Sequence, residues 1–576
     1  MKWEDAYLQR DDLTPFGAEG IGVFALGLRF GLDDLQTVAA ESITDGPDDK
    51  KIDVLYIDRA QRSAFIMQCY GAKSKFDQQA PGNKATDLHT AAAYAFSVGL
   101  NNVPTQIRAQ VTDLRSAITD GSVDGVYFWY VHNQTESENI AQELRQIEVS
   151  ALANVKAAFP DVKCTISAQE VGRKTLEDWF DRSSSQILVD DEVKFELQPN
   201  YEIQGNGWKC LVTSITGKEI YHLFKRYKKD LFSMNVRDYL GIVSKDSNVN
   251  NNIKLTAENE PEQFWPFNNG LTIITHDYKP VDTALSVKGL AVVNGAQTTG
   301  AIGNLLTEPS ESLRVAVRFY KASDQEFIEN IIRYTNSQNA IEAADFRSTD
   351  SVQRRLRQQF DEIQGADYNG GRRGSGGDKI QRKPDLLPNY TVGQALSAFH
   401  GDPVIAYNEK ARIWSDNESY SKVFKDETTA AHIIFVFSLL RAIEQRKQEL
   451  VTKGKIAGQL TQQQMKEMEL YRSPGAQFFL MSIIASYLEV AIGEPIPNRF
   501  RLIWRDSNLQ KGIGRWQPIL NIVLAFGETL VDYLKDGLKS NEKVRVAESK
   551  TRQTLAAIKG FHANEYSVFA KDILLS

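Results

Sequence analysis

Residues 267–274 read "FNNGLTII" and residues 292–302 read "VVNGAQTTGAI". Each sets an amide-rich cluster against a short apolar run. In the first, Asn268, Asn269 and Gly270 stand before Leu271-Thr272-Ile273-Ile274, whose β-branched composition predicts a buried strand. In the second, a strand is expected to end at Asn294-Gly295 and a helix to begin near Thr298 and Thr299, either of which can cap it. Gly295 permits a tight turn or a close backbone approach, and the free N–H groups of a helix start favour a phosphate or a carboxylate. Asn-Gly before a strand is also a hairpin signal, so each cluster taken singly reads as a turn. A third cluster, "TNSQN" at 335–339, places Asn336, Gln338 and Asn339 after a helix, with more amides than a helix end requires. Together the three are expected to converge on one polar site for a phosphate-bearing ligand, with Gln297 among its walls.

Outward from this core, 576 residues are too many for one hydrophobic core and imply roughly two to four domains. Three divisions are expected: an α/β domain over 1–195, a central α+β domain over 196–430 and an all-helical region over 431–576. The first alternates helix and strand, with "KIDVLYID" and "SAFIMQCY" as a hairpin across "RAQR", and "DLHTAAAYAFSVG" as a helix capped at Asp87. In the second, Ser323 and Glu326 form a capping box. The helix it starts turns Phe327, Ile328, Ile331 and Ile332 to one apolar face. The third carries long apolar helices such as "QFFLMSIIASYLEV".

The charge balance, 67 Lys+Arg against 74 Asp+Glu, carries no global signal for nucleic acid, so any such contact must come from a local basic patch. Candidates are "FKRYKKD" at 224–230, Arg354, Arg355 and Arg357 in "QRRLRQQ", the stretch from Lys543 to Arg552, and Arg372 with Arg373 inside "DYNGGRRGSGGD". The glycine-flanked pair is the strongest of these, because glycine lets an arginine approach a phosphate closely. Three scattered cysteines argue against disulfides and zinc and for a reducing compartment. Neither a signal layout nor an apolar run of about 18 residues is present, so a cytoplasmic protein without a membrane partner is expected.

Asp53 enters the first strand of the hairpin and Gln68 lies on the second. An acid on one strand and an acid or amide on its neighbour can hold a divalent ion. This layout resembles the D…(E/Q)-x-K signature of PD-(D/E)xK nucleases, in the Gln variant of type IV restriction enzymes. The resemblance implies a restriction-endonuclease-like domain using Mg²⁺ or Mn²⁺, with Asp53 and Gln68 as metal ligands and Glu19 as a third catalytic residue. Tyr70 stands where the signature has lysine, and Lys73 and Lys75 follow three and five residues later.

"NVRDYLG", "FNNGLTII", "VVNGAQTTGAI", "YTNSQNAIEAADFRS" and "DYNGGRRG" occur in the order and spacing of the AIPR family, the abortive-infection phage-resistance proteins of bacteria. That resemblance, continued by "HGDPVIAYNEKARIWSDNESYSKVF", implies antiphage defence through nucleic acid, DNA ahead of RNA. A homodimer and partner defence proteins are further candidates for association. Two functions stay open. One is a defence effector that cuts nucleic acid with a metal ion. The other is a non-catalytic sensor of nucleic acid, nucleotide or phage protein that acts through a partner.

Overall fold

The hairpin forms where the alternation of "VLYID" and "SAFIMQCY" places it. Strand β1 (Val54–Asp58) runs antiparallel to β2 (Ser63–Tyr70), with Val54 opposite Met67 and Asp58 opposite Ser63. Strands β3 (Gly125–His132) and β4 (Thr165–Val171) add in parallel, completing a four-stranded sheet in the order β1-β2-β3-β4. Parallel neighbours need crossover connections, and the helices Gly82–Ala92, Thr105–Thr119 and Glu138–Ala158 supply them. One sheet face, with Leu55 and Ile66, packs into a core of Leu88, Ile107, Leu114, Phe128, Leu144 and Ile147. The other face receives the helix Ala18–Phe30 at Gly22, where an added Cβ would lie 2.8 Å from the Cys69 sulfur and 3.3 Å from that of Met67. Any larger residue would push this helix off the sheet.

This computed structural model describes residues 2–32, 34–44, 46, 48–183, 187, 189–232, 247–322, 324, 327–328, 331–332, 335, 347, 350–370, 385–455 and 459–575. The chain divides into two compact units. One comprises Met1–Gly27, Leu32–Thr175 and Glu342–Ser576; the other comprises Leu28–Gly31 and Leu176–Ile341.

In the first unit the amino-terminal α/β layer shares its interior with carboxy-terminal helices. The helix Ala430–Gly454 carries Arg441, whose guanidinium reaches Asp34 Oδ2 and Glu444 Oε2, each at 2.6 Å. Thr37 donates to Glu444 at 2.6 Å, and Lys447 donates to the Ala40 carbonyl. Burial works against both carboxylates. At Asp34 the adjacent guanidinium outweighs it and lowers the pKa, whereas at Glu444 burial prevails and raises it. Burial also pushes Glu41 up to about 7, although Lys410 and Lys447 pull the other way. The "QFFLMSIIASYLEV" stretch forms the buried helix Ala476–Ser486.

The second unit is built on a seven-stranded sheet. Its path runs β5 (Val189–Glu196), β10 (Ala284–Asn294), β8 (Leu271–Ile274), β11 (Arg314–Ala322), β7 (Trp208–Thr216) and β6 (Tyr201–Gly205), with β9 (Asp277–Val281) also on β10. Only the β8–β11 pair is parallel. Val315, Val317 and Phe319 of β11 point into a core with Ile215, Leu271, Ile273 and Val292. On the opposite face, Ile274, Ala291 and Val293 pack with Ile331 and with the partly buried Phe327, Ile328 and Ile332.

Some expectations need correction. Asp87 does not cap a helix: that helix starts at Gly82 after Pro81, and Asp87 lies inside it, 3.4 Å from Lys51. The region after 431 is helical but not wholly so, since Leu502–Trp504 pairs antiparallel with Ile573–Leu575. Short strands with one apolar register look like helix segments when read alone. The capping box of Ser323 and Glu326 lies outside the described residues.

Candidate functional site

Two neighbourhoods hold the residues singled out by sequence. The first lies at the open end of the β1–β2 hairpin. Asp53 Oδ2 accepts from the Cys69 backbone N–H at 2.6 Å and from the Gln68 amide. Both side chains are buried, with Asp53 8% and Gln68 3% exposed. Gln68 has therefore turned its NH₂ toward the carboxylate, and its Oε1 is left buried without a hydrogen-bond partner among the described residues. A carboxylate beside an orphaned amide oxygen is the donor set a hard divalent cation takes, and Mg²⁺ commonly uses one or two such protein ligands with waters and phosphates. On that chemistry Asp53 and Gln68 fit Mg²⁺ or Mn²⁺. Among the described residues, no group of three or more His, Cys, Asp and Glu side chains could hold a metal ion.

Glu19 lies in the first turn of the helix Ala18–Phe30, at the end where Ala18 stands under Gly71, just past β2. Its Oε2 is 2.8 Å from Lys455 Nζ, which also donates to the Phe16 carbonyl. Sequence reading missed Lys455, which lies 436 positions from Glu19 and belongs to no motif. It missed His132 as well. His132 is aligned with Tyr70 in the sheet, and its Nδ1 accepts from the Gln134 N–H, so the proton sits on Nε2 and donates to Glu170 Oε1 at 2.9 Å.

The second neighbourhood lies in the central sheet. The Asn268 amide and the Thr298 hydroxyl are 3.0 Å apart, and Asn268 Oδ1 accepts from the Gly270 N–H at 2.9 Å. Gly270 has φ +77°, and the segment before it is the one-turn helix Phe264–Phe267, so Asn-Gly here closes a loop rather than a hairpin. The helix after β10 starts at Ala296, earlier than expected, and its cap is Gly295 itself at φ +92°. Thr299 instead bonds back to the Gly295 carbonyl. A Cβ at Gly295 would come within 2.4 Å of the Leu271 side chain and 2.8 Å of the Gly270 carbonyl, so the two Asn-Gly turns press directly on each other. Asn294 donates to the Thr335 carbonyl at the edge of the third cluster. Asn269 is exposed and Gln297 half-buried, while Asn336, Gln338, Asn339, Arg372 and Arg373 lie outside the described residues.

Several of the other basic residues have structural duties. Arg355 donates to the carbonyls of Thr428 and Lys425, Arg357 to that of Gly370, and Arg226 pairs with Asp191 at 3.0 Å. The amide neighbourhood has its own cation, which no motif announced. Arg318 on β11 donates to Thr272 Oγ1 at 3.0 Å, and Thr272 is aligned with Asn294 across β8 and β10.

Among the described residues, no helix is long and apolar enough to cross a membrane. No curated protein and no solved structure matches the chain. The family described as AIPR protein matches residues 232–530, just over half of the chain, and takes in both turns of the amide neighbourhood. The chain belongs to the AIPR protein family.

Proposed function

We propose that this chain is an antiphage defence protein of the abortive-infection type that binds nucleic acid and cuts it in a metal-dependent way. Family membership supports the defence role. The observation that carries the cutting is the Asp53 carboxylate, just before β1, beside the orphaned Gln68 oxygen on β2. Asp53 and Gln68 would hold the ion, which would supply Lewis-acid polarisation of a phosphate and activation of water. Asp53 contributes the negative charge and is oriented by the Cys69 N–H, which fixes one lone pair and leaves the carboxylate little freedom to swing. Gln68 contributes a neutral oxygen held in place by the sheet. Glu19, at the same end of β2, adds a second carboxylate, whose charge Lys455 offsets at 2.8 Å. The amide neighbourhood, with Asn268, Asn294, Gly295 and Thr298, holds a phosphate through side-chain amides and helix-start N–H groups.

A second reading has two observations in its favour. Tyr70 stands in place of the signature lysine, and Glu19 is ion-paired with Lys455, an arrangement suited to a closed, non-cutting domain. The chain would then sense nucleic acid, a nucleotide or a phage protein and act through a partner.

Incubating purified protein with supercoiled plasmid, single-stranded DNA and RNA, in Mg²⁺, Mn²⁺ or EDTA, separates the two. Cutting that needs metal and disappears in Asp53→Ala is the expected result. Retained gel-shift binding without cutting would select the sensor.

A further inference from the structure

Just before the first amide turn, a one-turn helix, Phe264–Phe267, presents aromatic rings to solvent. Phe264 is buried at 1% exposure and anchors the turn in the core, while Trp265 is 46% and Phe267 67% exposed. Successive helix residues are about 100° apart, so Trp265 and Phe267 stand on the two sides of their buried anchor.

The helix packs against β11, and β11 carries two arginines on one face. Val315, Val317 and Phe319 fill the core, so the alternating residues Arg314, Ala316 and Arg318 project to the other side. Arg318 is exposed, with one amino group on Thr272. Arg314 Nη1 is buried and has no hydrogen-bond partner among the described residues. A buried guanidinium donor without an acceptor is costly, and a phosphate oxygen would satisfy it. Gly270 sets the end of the turn against the edge of β11 that carries the two arginines, since a Cβ there would lie 2.5 Å from the Ala316 carbonyl, between Arg314 and Arg318 in sequence.

We propose that Trp265 and Phe267, with Arg314 and Arg318, form a binding surface for single-stranded nucleic acid, on which bases stack on the rings and the guanidiniums hold the backbone. Exposed rings alone would suit a protein partner equally well. Two arginines on the adjacent strand, one of them with an unsatisfied donor, favour an anionic polymer, and exposed rings stack on bases only where those bases are unpaired. The inference rests on the reading that this chain binds nucleic acid, and it specifies the strandedness and the residues.

The test is fluorescence anisotropy of a labelled single-stranded oligonucleotide, as DNA and as RNA, titrated with the full chain at several salt concentrations and compared with the duplex. Wild type should bind the single strand more tightly than the duplex. Trp265→Ala and Phe267→Ala should each weaken binding about tenfold and leave the salt dependence unchanged. Trp265→Phe should recover most of the loss. Arg318→Ala should lower the slope of log affinity against log salt by about 0.7, one phosphate contact on a single strand. If the oligonucleotide binds and the ring variants bind as well as wild type, the surface is wrong while the nucleic-acid reading stands. If wild type binds neither single strand nor duplex, both are overturned.

Discussion

The Asp34–Arg441–Glu444 cluster of the first unit and the Arg314–Arg318 face of the second both set arginines against apolar framework, but they treat those charges differently. Arg441 is 8% exposed, and it donates to two carboxylates and a threonine of the same interior. Arg318 is exposed with one bond, and Arg314 carries a buried donor that nothing among the described residues accepts. A closed network holds one packing arrangement together, because removing any member strands the others in low dielectric. An open one costs the fold something and gains it back only from a ligand. The same residue type is thus a structural tie in one place and a candidate contact in the other.

Substitution can break that contrast, and the largest effect belongs to the closed side. Arg441→Met leaves Asp34 and Glu444 buried without their cation and should lower unfolding free energy by about 3–5 kcal/mol in urea denaturation. If the loss is as small as for a surface arginine, the cluster is not closed.

Glu41 gives the contrast a pH signature. Burial holds its folded pKa at about 7, above the value of an unfolded glutamate, so the stability it contributes is present below about pH 4.5 and lost as pH rises through 7. Wild type should therefore lose a few kcal/mol relative to Glu41→Gln between pH 5 and pH 8, at about 1.4 kcal/mol per pKa unit. The difference between their urea midpoints across that range reports Glu41 together with Lys447, which burial lowers to about 8 and which loses its charged neighbour in the variant. His432, whose burial depresses it to about 4, titrates equally in both proteins and cancels.

In the second unit, Gly295→Ala puts a Cβ against Leu271 and the Gly270 carbonyl at a positive φ and should cost about 2 kcal/mol. Thr298→Val removes the hydroxyl that meets Asn268 and should cost about 1 kcal/mol. Arg318→Ala should change stability by less than about 0.5 kcal/mol while altering nucleic-acid affinity. A large stability loss there would make Arg318 a second closed tie and remove it from the binding surface.

The two Asn-Gly turns show how far sequence reading reached. That a strand follows Gly270 and another ends at Asn294 was legible, because glycine and amide preferences act over a few residues. The helix start was misjudged by about two residues, since Thr298 is a good cap by type but Gly295 in the left-handed region took the role. The Asp53–Gln68 contact was foreseeable from the hairpin, as Asp53 stands just before β1, beside the end of β2 where Gln68 lies. Asn336, Gln338, Asn339, Arg372 and Arg373 lie outside the described residues.

Read alone, the chain determined the four strands of the amino-terminal sheet, the two strands beside the Asn-Gly turns, several of its helices and the family, all carried by periodicity and short ordered motifs. Tertiary structure decided which charges meet. Arg441 finds Asp34 across 407 positions, Lys455 finds Glu19 across 436, and Arg318 finds Thr272 across 46. No local preference encodes such pairs. They form because burying the apolar faces brings distant segments together, and a buried or half-buried charge is stable only beside a group that compensates it.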